Sequence, residues 1–105
     1  MQIQFSIDCK DNGHERIENY FTTTINETLK KFDDKITGVN VHLADENGSK
    51  TGPDDKRCTI EVHAMGLNAI AVTNHADTVE KSIKGATDKM KSALEHAYGK
   101  LQKSH

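Results

Sequence analysis

The 105-residue chain has no apolar run approaching the roughly 18 residues that a membrane-spanning helix needs. Its opening residues, MQIQFSIDC, show no basic stretch followed by a sustained apolar one, so no targeting segment is read there. A cytoplasmic protein without a membrane partner is expected. Cysteine is scarce: Cys9 and Cys58 both fall in alternating apolar segments, and neither a CxxC nor another paired spacing occurs. That argues against a disulfide framework or thiolate metal site and fits reduced core thiols. Net charge is also small, at −2, which argues against a domain that coats nucleic acid merely by being basic throughout. Catalytic signatures are missing as well. There is no GxSxG, no phosphate loop and no nucleophile suitably spaced from a histidine and a carboxylate. The acidic pairs Asp33-Asp34, Asp45-Glu46 and Asp54-Asp55 sit in turn-like segments where carboxylates are solvated. A non-enzyme with no cofactor and no small-molecule substrate is expected.

What is present is enough for one domain spanning 1–105. An apolar fraction of 34% supports a single two-layer core in which one face of a sheet stays poorly covered. Ile3, Phe5, Ile7 and Cys9 alternate with polar residues, as in a half-buried strand. After Asp11-Asn12-Gly13 the period changes. Ile17, Phe21, Ile25, Leu29 and Phe32 make one helical stripe from about His14, with Lys30 and Lys31 in the last turn, where cations suit the helix dipole. Alternation returns at Val39, Val41 and Leu43, and again at Cys58, Ile60, Val62 and Ala64. The intervening residues 44–57 contain Asn47-Gly48 and Gly52-Pro53 and read as a mobile loop. Met65-Gly66-Leu67-Asn68 reads as a tight connection into a fourth strand at Ala69–Thr73.

The chain then closes on a long helix from about Ala76 to Lys103, with Thr73, Asn74 or His75 available to cap it. Its stripe is Val79, Ile83, Ala86, Met90, Leu94, Ala97 and Leu101. The fold expected is α+β, a two-layer β-α-β-β-β-α arrangement with a four-stranded mixed sheet. A right-handed parallel unit from strand to helix to strand would put both helices on one face.

Charge is unevenly divided. Residues 1–75 hold 8 basic and 12 acidic side chains, whereas 76–105 hold 6 and 4, so the last helix is net positive. With Met90 at the centre of its buried face, one flank gathers Lys89, His96, Lys100 and Lys103 with no acid among them. The other interleaves Asp77, Glu80, Lys81, Lys84, Asp88, Lys91 and Glu95 at helical pairing distance. The acid-free flank fits contact with phosphates, although helix statistics alone favour an ordinary solvated face. His42 and His63 have outward parity on paired strands and are expected near each other on the open sheet face, with Arg57 and Glu61. A third or fourth metal ligand is not evident, so surface histidines rather than a zinc site are read. An apolar patch on the uncovered sheet is compatible with a monomer or a weak dimer.

Two passages carry a more specific likeness. Leu29-Lys30-Lys31-Phe32-Asp33-Asp34-Lys35-Ile36 followed by Val39-Asn40-Val41-His42-Leu43, and Ile83 through Asp88-Lys89-Met90 to Leu94, resemble the bacterial ribosome hibernation promoting factor family. That family is also called ribosome-associated inhibitor A or sigma factor modulation proteins. The resemblance covers nearly the full chain. It implies a domain that binds ribosomal RNA of the small ribosomal subunit in the channel used by messenger and transfer RNA, blocking translation by occupancy. The positions that match the family's rRNA-binding basic residues are Lys30, Lys31, Lys89, His96 and Lys100, with Lys103 added from the flank. Where the family often carries basic residues after its DKL motif, this chain has Ser92 and Tyr98. A non-catalytic protein- or RNA-interaction module that has diverged from ribosome binding is the alternative.

Overall fold

A computed structural model describes residues 2–8, 14–45 and 56–103; the side chains of Asp8, His14, Asp45 and 101–103 lie outside that description. Cys9 and most of the 44–57 loop also fall outside it. Strand β1 (Gln2–Asp8) leads to helix α1 (His14–Thr28) and a short 3₁₀ turn (Lys30–Phe32). Then come β2 (Ile36–Asp45), β3 (Lys56–Ala64), β4 (Ile70–Ala76) and helix α2 (Val79–Lys103). The sheet order is β1-β2-β3-β4, with β1 parallel to β2 and the two remaining pairs antiparallel. This is the expected α+β fold.

The period of each segment explains its place. Val39, Val41 and Leu43 of β2 and Cys58, Ile60 and Val62 of β3 turn one way and are buried. Onto that face α1 presses Ile17, Phe21 and Ile25, and α2 presses Val79, Ile83, Ala86, Met90 and Leu94. The Phe5 and Phe21 rings meet edge to face at 5.7 Å, joining β1 to α1. Each fully buried large side chain contributes about 1.5–3 kcal/mol through loss of apolar contact with water. Cys58 belongs to this core, and burial pushes its thiol up to about 12. It is protonated at neutral pH, which suits an inert core thiol rather than a nucleophile.

Several boundaries differ from those read in the sequence. The stripe through Phe32 is not one continuous α-helix: α1 stops at Thr28, and Leu29 has φ −102° and ψ 18°. The Phe32 and Asp33 amides donate three residues back, to Leu29 and Lys30. Because a 3₁₀ turn stacks residues three apart, Leu29 and Phe32 still face the core together. Lys30 and Lys31 therefore sit in this turn and not in the last turn of α1. At the other end, α2 begins at Val79, because pairing with β3 holds β4 extended as far as Ala76. Its cap is Thr78, whose hydroxyl accepts from the Lys81 amide at 3.2 Å. Asn74, one of the expected caps, instead turns inward from β4 and reaches the carbonyls of Lys81 and Ser82 at 3.4 and 3.3 Å. Ser82 returns a hydroxyl bond to the Asn74 carbonyl at 3.2 Å.

That contact explains Gly85. A Cβ there would lie 2.2 Å from Asn74 Nδ2, so glycine lets the helix close down on β4. The Met65-Gly66 connection is a tight turn as expected, with the Leu67 amide donating to Ala64 at 3.2 Å and Gly66 at φ 81°. A positive φ at the third turn position is the type II requirement that favours glycine. The Met65 amide also donates to the Lys35 carbonyl at 2.9 Å, and the Met65 carbonyl accepts from the Tyr98 hydroxyl at 2.9 Å. Tyr98 stacks on Phe32 with centroids 5.7 Å apart and planes 17° apart. The 3₁₀ turn, the β3–β4 turn and the late turns of α2 are thus tied at one end of the sheet.

These contacts set three expectations for stability. Replacing Gly85 by Ala should not yield the helix gain of about 1 kcal/mol in the wild-type background, because the methyl meets Asn74. The same change in an Asn74→Ala background should yield most of it. Urea unfolding of the four proteins checks this, and equal effects in both backgrounds would refute the contact. In a double-mutant cycle of Phe32→Leu and Tyr98→Leu, a coupling of about 0.5–1.5 kcal/mol is expected. Tyr98→Phe alone should cost about 1 kcal/mol for the lost hydrogen bond, measured the same way.

Candidate nucleic-acid interface

The 3₁₀ turn that buries Leu29 and Phe32 leaves Lys30 and Lys31 between them, both exposed. On α2, steps of about 100° put Lys89, His96 and Lys100 on one side of the buried Met90 stripe and Glu80, Lys91, Glu95 and Tyr98 on the other. All three of Lys89, His96 and Lys100 are exposed, and the Lys103 side chain lies outside the described ones. Contacts show which neighbour each side faces. Lys89 Nζ donates to the Thr73 carbonyl of the edge strand β4 at 2.9 Å. On the opposite side Arg16 of α1 approaches Glu80 at 4.0 Å, and Lys31 is hydrogen-bonded to Glu95.

The basic positions read from sequence therefore form two groups. Lys30 and Lys31 lie on the α1 side of α2, and Lys89, His96 and Lys100 lie on its β4 side. Asp88, Ser92 and Gly99 occupy the helix back between the groups by the same angular count.

The two groups differ electrically. The partner of Lys89 is a neutral carbonyl, which orients the ammonium and leaves its charge and two further N–H donors available. The partner of Lys31 is a carboxylate, which offsets that charge. The hydrogen bond from Lys31 holds the Glu95 carboxyl below its usual range, with the charges of Lys31 and Lys91 adding to the effect and partial desolvation opposing it. Lys31 Nζ also lies 5.2 Å from the Phe32 ring centroid. Elsewhere on the mixed flank the expected helical pairs are made, Asp77–Lys81 at 3.3 Å and Lys84–Asp88 at 3.6 Å.

Sequence reading missed three residues here. Tyr98, noted as standing where a base is frequent, is a packing residue, and burial and the charge of Asp34 raise its hydroxyl pKa. Its position four residues beyond Leu94 was the available signal. Lys35, not singled out, places its ammonium 5.4 Å from the Tyr98 ring centroid. Glu95 was placed in the solvated mixed flank, but its partner is 64 residues away in the chain. No local spacing rule reaches that far.

The open sheet face is polar. His42 lies opposite Thr59 and His63 opposite Gly38, so the register separates the two histidines by about four residues, roughly 13 Å. They are not the neighbours expected from parity alone. His63 instead contacts Glu61 at 3.2 Å, and Asn40 donates to the same carboxylate at 3.3 Å. Among the described residues, no group of three or more histidine, cysteine or acidic side chains is placed to hold a metal ion. Among them, too, no helix is long and apolar enough to cross a membrane.

Comparison with known proteins agrees with this architecture. No curated protein sequence matches the chain significantly. Among solved structures, the N-terminal domain of Thermus thermophilus Protein Y is similar at 18% identity and a TM-score of 0.72, over 91% of this chain and 98% of that one. A ribosomal subunit interface protein from Coxiella burnetii is similar at 15% identity and a TM-score of 0.67, over 94% and 99%. At such identities the likeness speaks for the fold. The family model described as sigma 54 modulation protein / S30EA ribosomal protein matches residues 10–102, and the chain belongs to that family.

Proposed function

We propose that this chain is a ribosome-binding translation inhibitor or hibernation factor, acting as a single domain over 1–105. It would occupy the messenger and transfer RNA channel of the small subunit through its basic helix surfaces. The observation that carries this reading is an exposed, acid-free cationic flank, Lys89, His96 and Lys100, on a domain of the sigma 54 modulation and S30EA ribosomal protein family. The likeness to the Coxiella burnetii ribosomal subunit interface protein supports the same partner.

The mechanism is occupancy without catalysis. Rigidly mounted ammonium groups replace condensed counterions on RNA phosphates, and the helix that carries them is anchored by the Met90 and Leu94 stripe. Phosphate contact of this kind is insensitive to sequence, which suits a plug. The cytoplasm is where such a partner is found.

Charge reversal at Lys89 and Lys100 should abolish co-sedimentation with small subunits while leaving the far-UV circular dichroism unchanged. Single replacements by Gln should each lower the slope of log affinity against log salt by about one. Wild-type protein that stays at the top of a low-salt sucrose gradient loaded with ribosomes would overturn the reading.

A further inference from the structure

The two cationic groups are not electrically equivalent, and the difference lies in Glu95. Lys31 and Glu95 are hydrogen-bonded across the gap between the 3₁₀ turn and α2, with side chains 54% and 43% exposed. The ammonium is therefore reachable by a ligand, yet a carboxylate already sits against it. Lys89, by contrast, is held by a backbone carbonyl, which cannot neutralise it. Around Lys31 the remaining charges also balance closely. Lys30 and Lys35 are accompanied in sequence by Asp33 and Asp34, and Lys91 also acts on Glu95, so Glu95 is the carboxylate that limits the positive charge at this end of the domain.

From this we infer that Glu95 is an affinity-setting residue that masks Lys31 from RNA phosphates, so that the Lys89 flank carries most of the electrostatic binding. The inference rests on the ribosome-binding reading and adds to it a built-in attenuator. A phosphate that approaches Lys31 must compete with a carboxylate fixed at hydrogen-bonding range. Coulomb attraction between unit charges falls as the reciprocal of distance, so the resident anion in direct contact outweighs an RNA phosphate farther away. The same carboxylate adds repulsion toward the RNA. Replacing it by a neutral amide of equal size removes both effects and keeps a hydrogen-bond acceptor for Lys31.

The test is a double-mutant cycle on binding to small subunits, read by sedimentation across a salt series, with single-stranded poly(U) as a second polyanion. Glu95→Gln should bind about five- to tenfold more tightly near 0.1 M salt and steepen the salt slope by about one, as expected for one added phosphate contact. Lys31→Gln leaves the carboxylate unpaired and should weaken wild-type binding by less than the Glu95→Gln gain, and it should remove most of that gain in the Glu95→Gln background. Both side chains are about half exposed, so the variants are expected to fold, and thermal melts confirm it. If wild type binds subunits and Glu95→Gln binds no better, or gains equally without Lys31, the attenuator is refuted while ribosome binding stands. If neither wild type nor Glu95→Gln binds subunits, the ribosome-binding reading falls and this inference falls with it.

Discussion

The seam where Ile83, Met90 and Leu94 of α2 press onto the buried faces of β3 and β4, beside Phe21 and Ile25 of α1, supports every other feature of the domain. A four-stranded sheet of 105 residues' worth of chain has apolar area for one covered face, and both helices are spent on it. That leaves the far face polar, with Gln4, Asn40, His42 and Thr59 outward. It also sets the distance of α2 from β4, which is short because Asn74 occupies the space a side chain at position 85 would need. A helix clamped this closely presents its flanks at defined heights above the sheet edge. Lys89 reaches the Thr73 carbonyl for that reason.

Electrostatics is layered onto that frame. The sequence carries slightly more acid than base, so a polyanion-binding surface has to be made by segregation. Segregation is achieved on α2 by placing Glu80 and Glu95 on the α1 side and Asp88 on the helix back, while Lys89, His96 and Lys100 occupy the β4 side. The acids on the α1 side then meet α1 and the 3₁₀ turn: Glu80 faces Arg16 and Glu95 faces Lys31. Exposed ion pairs of this kind add little stability, commonly less than about 1 kcal/mol, so their main consequence is for the field that a ligand meets. Tyr98 plays the complementary part, exchanging a possible cation for a ring that stacks on Phe32 and a hydroxyl that holds the β3–β4 turn.

Much of this was legible in the residues alone. Period-two and period-four patterns located three strands and both helices, because burial of a regular element repeats with its geometry, and the Met65–Asn68 turn signal pointed to the fourth strand. The acid-free flank was legible for the same reason. Element ends were less so: the stripe from Ile17 to Phe32 reads as one helix, although hydrogen bonding tightens after Thr28, because both helix types can bring Leu29 and Phe32 to the core. Likewise Asn74 has good capping chemistry, but pairing with β3 kept it in a strand and handed the cap to Thr78.

By itself the sequence determined the α+β architecture, the single covered sheet face, the membership of Cys58 in the core and the sidedness of charge on α2. These depend on local periodicity, which each segment carries within a few residues. Tertiary structure alone decided that the lysines form two groups, that His42 and His63 stand apart, and that Lys31 meets Glu95 while Lys89 meets a carbonyl. Such facts depend on strand register and on the separation of helices packed side by side. A shift of a few ångströms there changes which charge lies against which, and no repeat within one segment records it.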